Sequence, residues 1–301
     1  MVQTLEKEQY FYAFSKENKV GLRVPSGSQV VIETFDCFQN QIQSAETAFN
    51  AIDWNQINPA TGAIFVEGAE PGDILKVKID KMELGDVGVL ATGPGLGVMG
   101  HRIEAFEVKM VPIVDGKAVF NERLQLPLNP MIGVIGVAPD GDPVSCGTPG
   151  AHGGNMDTTL ITTGATLYFP VFQQGALFGL GDLHAAMGDG EIGVSGVEIP
   201  GKVSVTLEVI KGKSIPFPFL ENEEGAAVLV SKPTLDEAAK AAVEIFVDTL
   251  LPHTDLTLPE LTMLFSAAGQ VQVSQIVDPL LTARFFVPKA ILDAYDVKLF
   301  E

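Results

Sequence analysis

Glycine and proline interrupt this sequence at short intervals, which limits the length of the helices and strands it can form. The 301 residues include 31 glycines and 19 prolines, and valine and threonine are frequent between them, as is typical of β-strands. Residues 202–210 give the clearest example, because Val203, Val205, Leu207 and Val209 alternate with more polar residues and would share one face of a strand. The sequence therefore predicts a mainly β protein with a β-sandwich or jelly-roll-like core.

The pattern changes after residue 215. Residues 234–251 have helical spacing of apolar residues, and Thr234 with Glu237 forms a T-x-x-E capping box at their start. The remaining predicted elements are a helix over residues 259–268 and strands over residues 271–277 and 284–287. We therefore expect a β-rich core at residues 1–215, which holds the candidate catalytic residues, and an α+β portion at residues 216–301 packed on it.

Charge and cysteine content restrict the partners and the compartment. A formal charge of −19 argues against a nucleic-acid partner, since binding phosphates needs clustered lysine and arginine. Cys37 and Cys146 are too few and too far apart for a disulfide framework. The first ten residues lack the apolar run of a secretory signal, and no apolar run reaches the roughly 18 residues that a spanning helix needs. We expect a cytoplasmic protein with no membrane partner.

Two glycine-rich segments hold most of the candidate functional residues. The first reads PVSCGTPGAHGGNMDT (residues 143–158) and the second GLGDLHAAMGDGE (residues 179–191). The apolar, β-branched stretch between them predicts buried strands, so the two segments could meet at neighbouring strand ends. Together they contain two of the four histidines, one of the two cysteines, and the acidic residues Asp157, Asp182, Asp189 and Glu191. Such a set can bind a metal ion or perform acid–base chemistry.

The motifs PGAHGGNMDT and GDLHAAMGDGE resemble the acetamidase/formamidase family of amide hydrolases. The resemblance begins near Val30, includes ETFDCFQNQI (residues 33–42) and extends to about Phe219. It implies a mostly β enzyme, metal-assisted, that hydrolyses a short aliphatic amide, acetamide or formamide, to a carboxylate and ammonia. It also implies a homodimer or a higher homo-oligomer.

Within this resemblance, three residues are the expected metal ligands: Asp36, Asp157 and His184. Two carboxylates and one imidazole are compatible with zinc and an open fourth position. Asp36 follows a predicted strand; from the sequence alone, it could equally form a solvated edge pair with Glu33. Asp182 lies two residues before His184, so it would be a further ligand or would orient the imidazole.

The remaining expected roles belong to catalysis. Glu191, next to a glycine, is expected to carry protons. His152 and Asn155 flank Gly153 and Gly154 and would hold either the tetrahedral oxyanion or the substrate amide. These assignments predict a divalent metal cofactor, with zinc favoured, and a small amide substrate.

Three alternatives stay open at this stage. Oxygen ligands and glycines suit calcium as well as they suit zinc. Cys146 could act as a nucleophile with His152 as its base, although free cysteines are more often buried packing residues. The protein could also be a non-catalytic, metal-stabilised protein that binds a small molecule.

Overall fold

The computed structural model describes residues 2–300, and its predominance of strands confirms the predicted fold class. The strands, in chain order, are β1 (Gln3–Leu5), β2 (Tyr10–Phe11), β3 (Ala13–Phe14), β4 (Leu22–Pro25), β5 (Ser28–Thr34), β6 (Ala60–Glu67), β7 (Ile74–Leu84), β8 (Val87–Thr92), β9 (Glu107–Val114), β10 (Lys117–Asn121), β11 (Leu124–Pro127), β12 (Met131–Gly136), β13 (Val144–Ser145), β14 (Gly153–Asn155), β15 (Thr166–Pro170), β16 (Phe178–His184), β17 (Glu198–Ile199), β18 (Gly201–Ile210), β19 (Phe219–Glu221), β20 (Gly225–Lys232), β21 (Gln270–Gln275) and β22 (Leu281–Pro288). The α-helices are α1 (Leu235–Leu250), α2 (Leu258–Ala268) and α3 (Lys289–Ala294), and short 3-10 turns cover Phe49–Ala51, Gly100–Arg102 and Leu251–His253.

Two large sheets contain nearly all of these strands. The first has the order β1-β5-β18-β7-β15-β19-β20-β22-β21. The second follows the path β11-β10-β9-β8-β17-β16-β12-β14, with β6 also beside β16 and β2 and β4 beside β6. Their inner faces share one apolar core, in which Ile32 and Val205 of the first sheet are buried with Ile135 and Leu180 of the second. The alternation in the sequence therefore forms a β-sandwich, because each strand buries one face against the opposite sheet.

The first sheet continues into the C-terminal portion of the chain. β15 pairs antiparallel with β19, with Thr166 opposite Glu221, and β20, β22 and β21 extend the sheet from there. α1 and α2 cover one face of this extension, where the rings of Phe246 and Phe265 pack against Phe285. The division of the chain at residue 215 into two structural units stays a prediction.

The helices begin where their sequence caps predict. The Thr234 side chain accepts a hydrogen bond from the Glu237 backbone N–H at 3.2 Å, and α2 has a complete capping box formed by Thr257 and Glu260. Both caps satisfy backbone N–H groups that a helix leaves unpaired at its start.

Among the described residues, no helix is both long enough and apolar enough to cross a membrane.

Candidate active site

Strand β12 of the second sheet brings the two glycine-rich segments together. It pairs with β14 along one edge, where Val134 lies opposite Asn155, and with β16 along the other, where Met131 lies opposite His184. The residues that follow β14 and those that end β16 therefore lie on either side of the same strand.

Gly133, in the middle of β12, gives the acidic side chains the space to approach one another. A Cβ atom at this position would lie 2.6 Å from Asp182 Oδ2 and closer still to Asp157 Oδ1. Such distances are far below van der Waals contact. Only glycine therefore allows both carboxyl groups to lie against this strand.

The His184 imidazole lies among carboxyl groups from three parts of the chain. Its Nε2 is 3.9 Å from Asp157 Oδ1, 3.3 Å from Asp182 Oδ1 and 3.1 Å from Glu198 Oε2. Glu191 is also close, since one ligand atom each from Asp157, His184 and Glu191 lie within 4.8 Å of one another. All five side chains are buried.

Three of these acidic residues have a left-handed backbone conformation. The φ angles are +36° at Asp157, +57° at Asp182 and +47° at Glu191. This region is uncommon for residues other than glycine, and it costs free energy that the surrounding structure must offset. Left-handed backbone at three neighbouring side chains is typical of a functional site.

Burial changes the protonation of the cluster. It raises the pKa of Asp157 and Glu198 well above the usual range and that of Glu191 to about 8. For His184, burial lowers the pKa, but the carboxyl groups of Glu198 and Asp182 outweigh it and leave the pKa well above normal. For the three carboxyl groups, loss of solvation is the largest cause, and the negative charges of neighbouring acids add to it.

Several oxygen atoms of the cluster lack a hydrogen-bond partner. Both Oδ atoms of Asp157, Asp182 Oδ1 and Glu198 Oε2 are buried, and their contacts with His184 Nε2 do not have the geometry of hydrogen bonds. Buried carboxylate oxygens are normally paired or bound to a metal ion. The donor set of carboxylates and one imidazole therefore fits a divalent cation.

A cavity of about 360 Å³ opens onto this cluster. Its acidic wall consists of Asp182, Glu191, Glu198 and Asp278. Its other walls are largely apolar and include Phe38, Trp54, Ile57, Leu96 and Val194.

The family model described as "Acetamidase/Formamidase family" matches residues 6–146 and 144–294. The chain belongs to this family. The resemblance noted from the two glycine-rich motifs is thereby confirmed.

Curated relatives carry the two names in the family's title. The acetamidase of Mycolicibacterium smegmatis is 28% identical over 257 residues, which are 63% of this chain and 63% of that protein. The formamidase of Methylophilus methylotrophus is 27% identical over 253 residues, which are 62% of this chain and 61% of that protein. The matches thus span less than two thirds of the length of these relatives.

Solved structures of acetamidase/formamidase proteins match over almost the whole chain. A predicted acetamidase/formamidase from Thermoanaerobacter tengcongensis is 54% identical, with a TM-score of 0.97 and 99% of each chain covered. An acetamidase from Bacillus halodurans is 44% identical, with a TM-score of 0.96 and coverage of 98% of this chain and 100% of that chain.

Asp36, an expected ligand, belongs to neither group of close ligand atoms: one consists of Asp157, His184 and Glu191, and the other of Cys37, Asp182 and Glu198. It is buried, and its Oδ1 accepts a hydrogen bond from the Asn40 N–H at 2.6 Å. Burial raises its pKa to about 6. The carboxyl thus shapes the turn after β5, and its role as a metal ligand stays a prediction.

The expected oxyanion residues occupy different surroundings. Asn155 lines the cavity, and its Nδ2 donates to Asp278 Oδ2 at 3.1 Å, while its buried Oδ1 has no partner among the described residues. His152 is not among the described residues that line the cavity. Its ring packs edge-on against Phe14, with ring centroids 5.3 Å apart, and burial lowers its pKa to about 4.

Cys146 is buried in an apolar cluster with Phe14, Ala60 and Val134. Its Sγ donates to the backbone oxygen of Phe11 at 3.6 Å, and burial raises the thiol pKa. A high thiol pKa lowers the fraction of the reactive thiolate.

Three residues of the site were missed from the sequence. Glu198 lies between Val197 and Ile199, and an isolated acid in an apolar strand could have marked it. Cys37 has its Sγ within 4.8 Å of ligand atoms of Asp182 and Glu198. Asp278 comes from the turn between β21 and β22, in the C-terminal portion, and nothing in its local sequence indicates the site.

Proposed function

We propose that this chain is an amidohydrolase that cleaves a short aliphatic amide, acetamide or formamide, to a carboxylate and ammonia with the help of a divalent metal ion. Family membership supports amide hydrolysis. The observation that carries the proposal is the buried cluster around His184, where carboxyl groups outnumber cationic partners beside a cavity. Association into a homodimer or a higher homo-oligomer stays a prediction.

Asp157, Asp182 and His184 would hold the metal ion. Their unpartnered atoms face one another, and Gly133 leaves room between the two carboxyl groups. Bound there, a divalent ion would polarise the amide carbonyl and lower the pKa of a bound water. The imidazole favours zinc, and the oxygen-rich surroundings make calcium the alternative.

Glu191 would carry the proton between water and the leaving nitrogen. An amide nitrogen is a poor leaving group until it is protonated, so hydrolysis needs an acid near it. Burial raises the pKa of Glu191 to about 8, and the charge of a metal ion nearby would lower it from there, so the group could both accept and release a proton near neutral pH. Glu191 also lines the cavity in which the substrate would lie.

Asn155 would orient the substrate through its unpartnered Oδ1. This atom can accept a hydrogen bond from the amide NH2 group, while Asp278 fixes the orientation of the side chain by accepting from Nδ2. Of the two roles expected for Asn155, the structure therefore favours binding of the substrate amide over binding of the oxyanion.

The surroundings of Cys146 favour the metal-dependent alternative. A thiol with a raised pKa, enclosed by apolar side chains and absent from the described cavity walls, has neither thiolate character nor access to substrate. Substitution of Cys146 by serine tests this directly, since a nucleophile cannot be replaced without loss of activity.

The decisive experiment is ammonia release from formamide and acetamide by the purified protein. It should be measured before chelation, after chelation, and after zinc, manganese or calcium is restored. Asp157→Asn removes one ligand charge from the cluster. We expect it to lower kcat/KM by more than the roughly hundredfold that changes outside the ligand shell typically cost.

Asp86→Asn is the matched control, because it removes one carboxylate from an exposed turn. Its activity should equal that of the unmodified protein. Normal hydrolysis by a folded Asp157→Asn variant would contradict the site assignment. Absence of ammonia release under every metal condition would instead favour ligand binding without turnover.

A further inference from the structure

We infer that this cavity binds amides with neutral, apolar acyl groups larger than the methyl group of acetamide, and that Trp54 is a specificity-determining residue for them. The inference rests on the proposed amide hydrolysis and adds the class of acyl group. Three features of the cavity carry it: its volume, the chemistry of its walls and the position of Trp54.

The cavity is larger than formamide or acetamide requires. Its volume is about 360 Å³, and one water molecule occupies about 30 Å³ in the liquid. The cavity thus has room for about a dozen atoms the size of a water oxygen. Acetamide has four non-hydrogen atoms, so space remains beyond its methyl group even when a metal ion and a water are present.

The walls of the cavity select the charge and polarity of the acyl group. The polar end is acidic, and no lysine or arginine is found among the described residues that line the cavity. An acyl group that ends in a carboxylate would therefore bury its charge in the cavity with no lysine or arginine to pair with it. Away from the acids, Phe38, Ile57, Leu96 and Val194 offer apolar surface, which favours a hydrocarbon chain or ring.

Trp54 is held in the wall by neighbouring aromatic rings. Its ring centroid is 4.9 Å from that of Phe49 and 6.1 Å from that of Phe106. These contacts restrict the indole without filling the cavity, since Phe49 and Phe106 are not among its described lining residues. A ring fixed in this way provides a broad apolar surface at low entropic cost.

The indole N–H of Trp54 is a further sign of an occupant. Nε1 is buried and has no hydrogen-bond partner among the described residues. Buried donors are nearly always paired with protein, water or ligand. A water molecule in the cavity would pair with this donor and leave the apolar faces of the indole to contact the acyl group.

The kinetic test compares kcat/KM for formamide, acetamide, butyramide, hexanamide and succinamate. Burial of each added methylene group should raise kcat/KM by about fourfold until the cavity is filled. Hexanamide has four more methylene groups than acetamide, so burial of most of its chain should raise kcat/KM by at least about thirtyfold. Succinamate, which ends in a carboxylate, should fall at least about tenfold below butyramide. A kcat/KM that declines from acetamide to hexanamide would overturn the inference.

Substitution separates Trp54 from its aromatic neighbours. In Trp54→Ala, the ratio of kcat/KM for hexanamide to that for acetamide should fall about tenfold, because the apolar wall is lost. Phe49→Leu alters the same aromatic group from outside the cavity and should leave this ratio within about twofold of the original. If the ratio of kcat/KM for hexanamide to that for acetamide is the same in the unmodified protein and in Trp54→Ala, Trp54 does not determine specificity.

Binding can be followed independently of turnover. Trp54 is the only tryptophan of the chain, so intrinsic fluorescence reports directly on this wall. The fluorescence change should saturate at a concentration of hexanamide at least about tenfold lower than that of acetamide. If no amide is hydrolysed, the proposed function fails, but this titration still tests the inference about binding. Equal dissociation constants for hexanamide and acetamide would overturn that inference.

Discussion

At the scale of single residues, the candidate site depends on acids that are buried without matching cations. Asp157 and His184 are at most 1% exposed, and their charges interact in surroundings that screen them poorly. Replacement of a whole buried ion pair by hydrophobic packing is often neutral or favourable for stability. The cost of retaining four such acids around one imidazole is therefore consistent with a functional site.

His152 provides a residue-scale prediction about pH and stability. Burial lowers its pKa from 6.5 to about 4 in the folded protein, so the unfolded chain binds this proton more readily. Its contribution to stability should be complete above pH 6.5 and should be lost as the pH falls towards 4. The loss amounts to about 3 kcal/mol, from about 1.4 kcal/mol for each pH unit between the two values.

The measurement is urea unfolding of the unmodified protein and His152→Gln between pH 7 and pH 4. Between pH 7 and pH 4, the free energy of unfolding of His152→Gln should fall by about 3 kcal/mol less than that of the unmodified protein. His101→Gln is the control, since His101 is exposed on the 3-10 turn after β8 and its removal should not alter the slope. Parallel pH profiles for the unmodified protein and His152→Gln would contradict the assigned burial.

At the scale of elements, the loop that carries Glu191 is held by the hairpin of β21 and β22. The Arg284 guanidinium donates to Asp189 Oδ1 at 3.1 Å and to Oδ2 at 2.7 Å. The backbone adds two bonds, from Gly190 N–H to Ser274 O at 2.7 Å and from Ile276 N–H to Gly190 O at 3.1 Å. These contacts stabilise the left-handed backbone at Glu191, which would otherwise be strained.

Arg284→Lys tests this contact between elements. Lysine keeps the charge but cannot make the two-point bond to Asp189. We expect a loss of about 1–3 kcal/mol in stability and a drop in kcat of about tenfold through displacement of Glu191. Urea unfolding and amide hydrolysis measure the two effects.

Arg102→Lys is the matched control for Arg284→Lys. Arg102 is exposed in the 3-10 turn after β8, so its substitution should change neither quantity. A normal kcat in Arg284→Lys would show that Glu191 does not depend on this contact.

At the scale of the whole molecule, the β-rich core and the C-terminal portion share one sheet and one site. The nine-stranded first sheet contains strands from both portions of the chain, which meet where β15 pairs with β19. The C-terminal portion also supplies Asp278 to the cavity. Gln275 Oε1 accepts from the Asp278 N–H at 3.0 Å, which fixes the turn that carries this carboxyl group.

This arrangement predicts that the chain unfolds in one cooperative transition. Trp54 reports on the β-rich core, whereas all three α-helices described between residues 2 and 300 belong to the C-terminal portion. In a denaturant titration, tryptophan fluorescence and circular dichroism at the helical band should therefore have the same midpoint. Separate midpoints would show two independent units divided near residue 215.

Much of the local structure could be predicted from the sequence. The alternation at residues 202–210 corresponds to β18, and Thr234 of the T-x-x-E motif caps the start of α1. The motifs around Asp157 and His184 identified the family. Each of these features is local, because side-chain alternation and helix capping depend on residues close together in the chain.

Other parts of the site were decided by tertiary structure alone. The sequence placed Asp157 and His184 in two separate segments, but only the pairing of β14, β12 and β16 brings these segments together, with Asp157 and Asp182 against Gly133. Likewise, Asp278 reaches the cavity because the first sheet extends through β21 and β22. The physical reason is that local patterns fix which face of a strand is buried, whereas the burial of whole faces against one another decides which strands become neighbours.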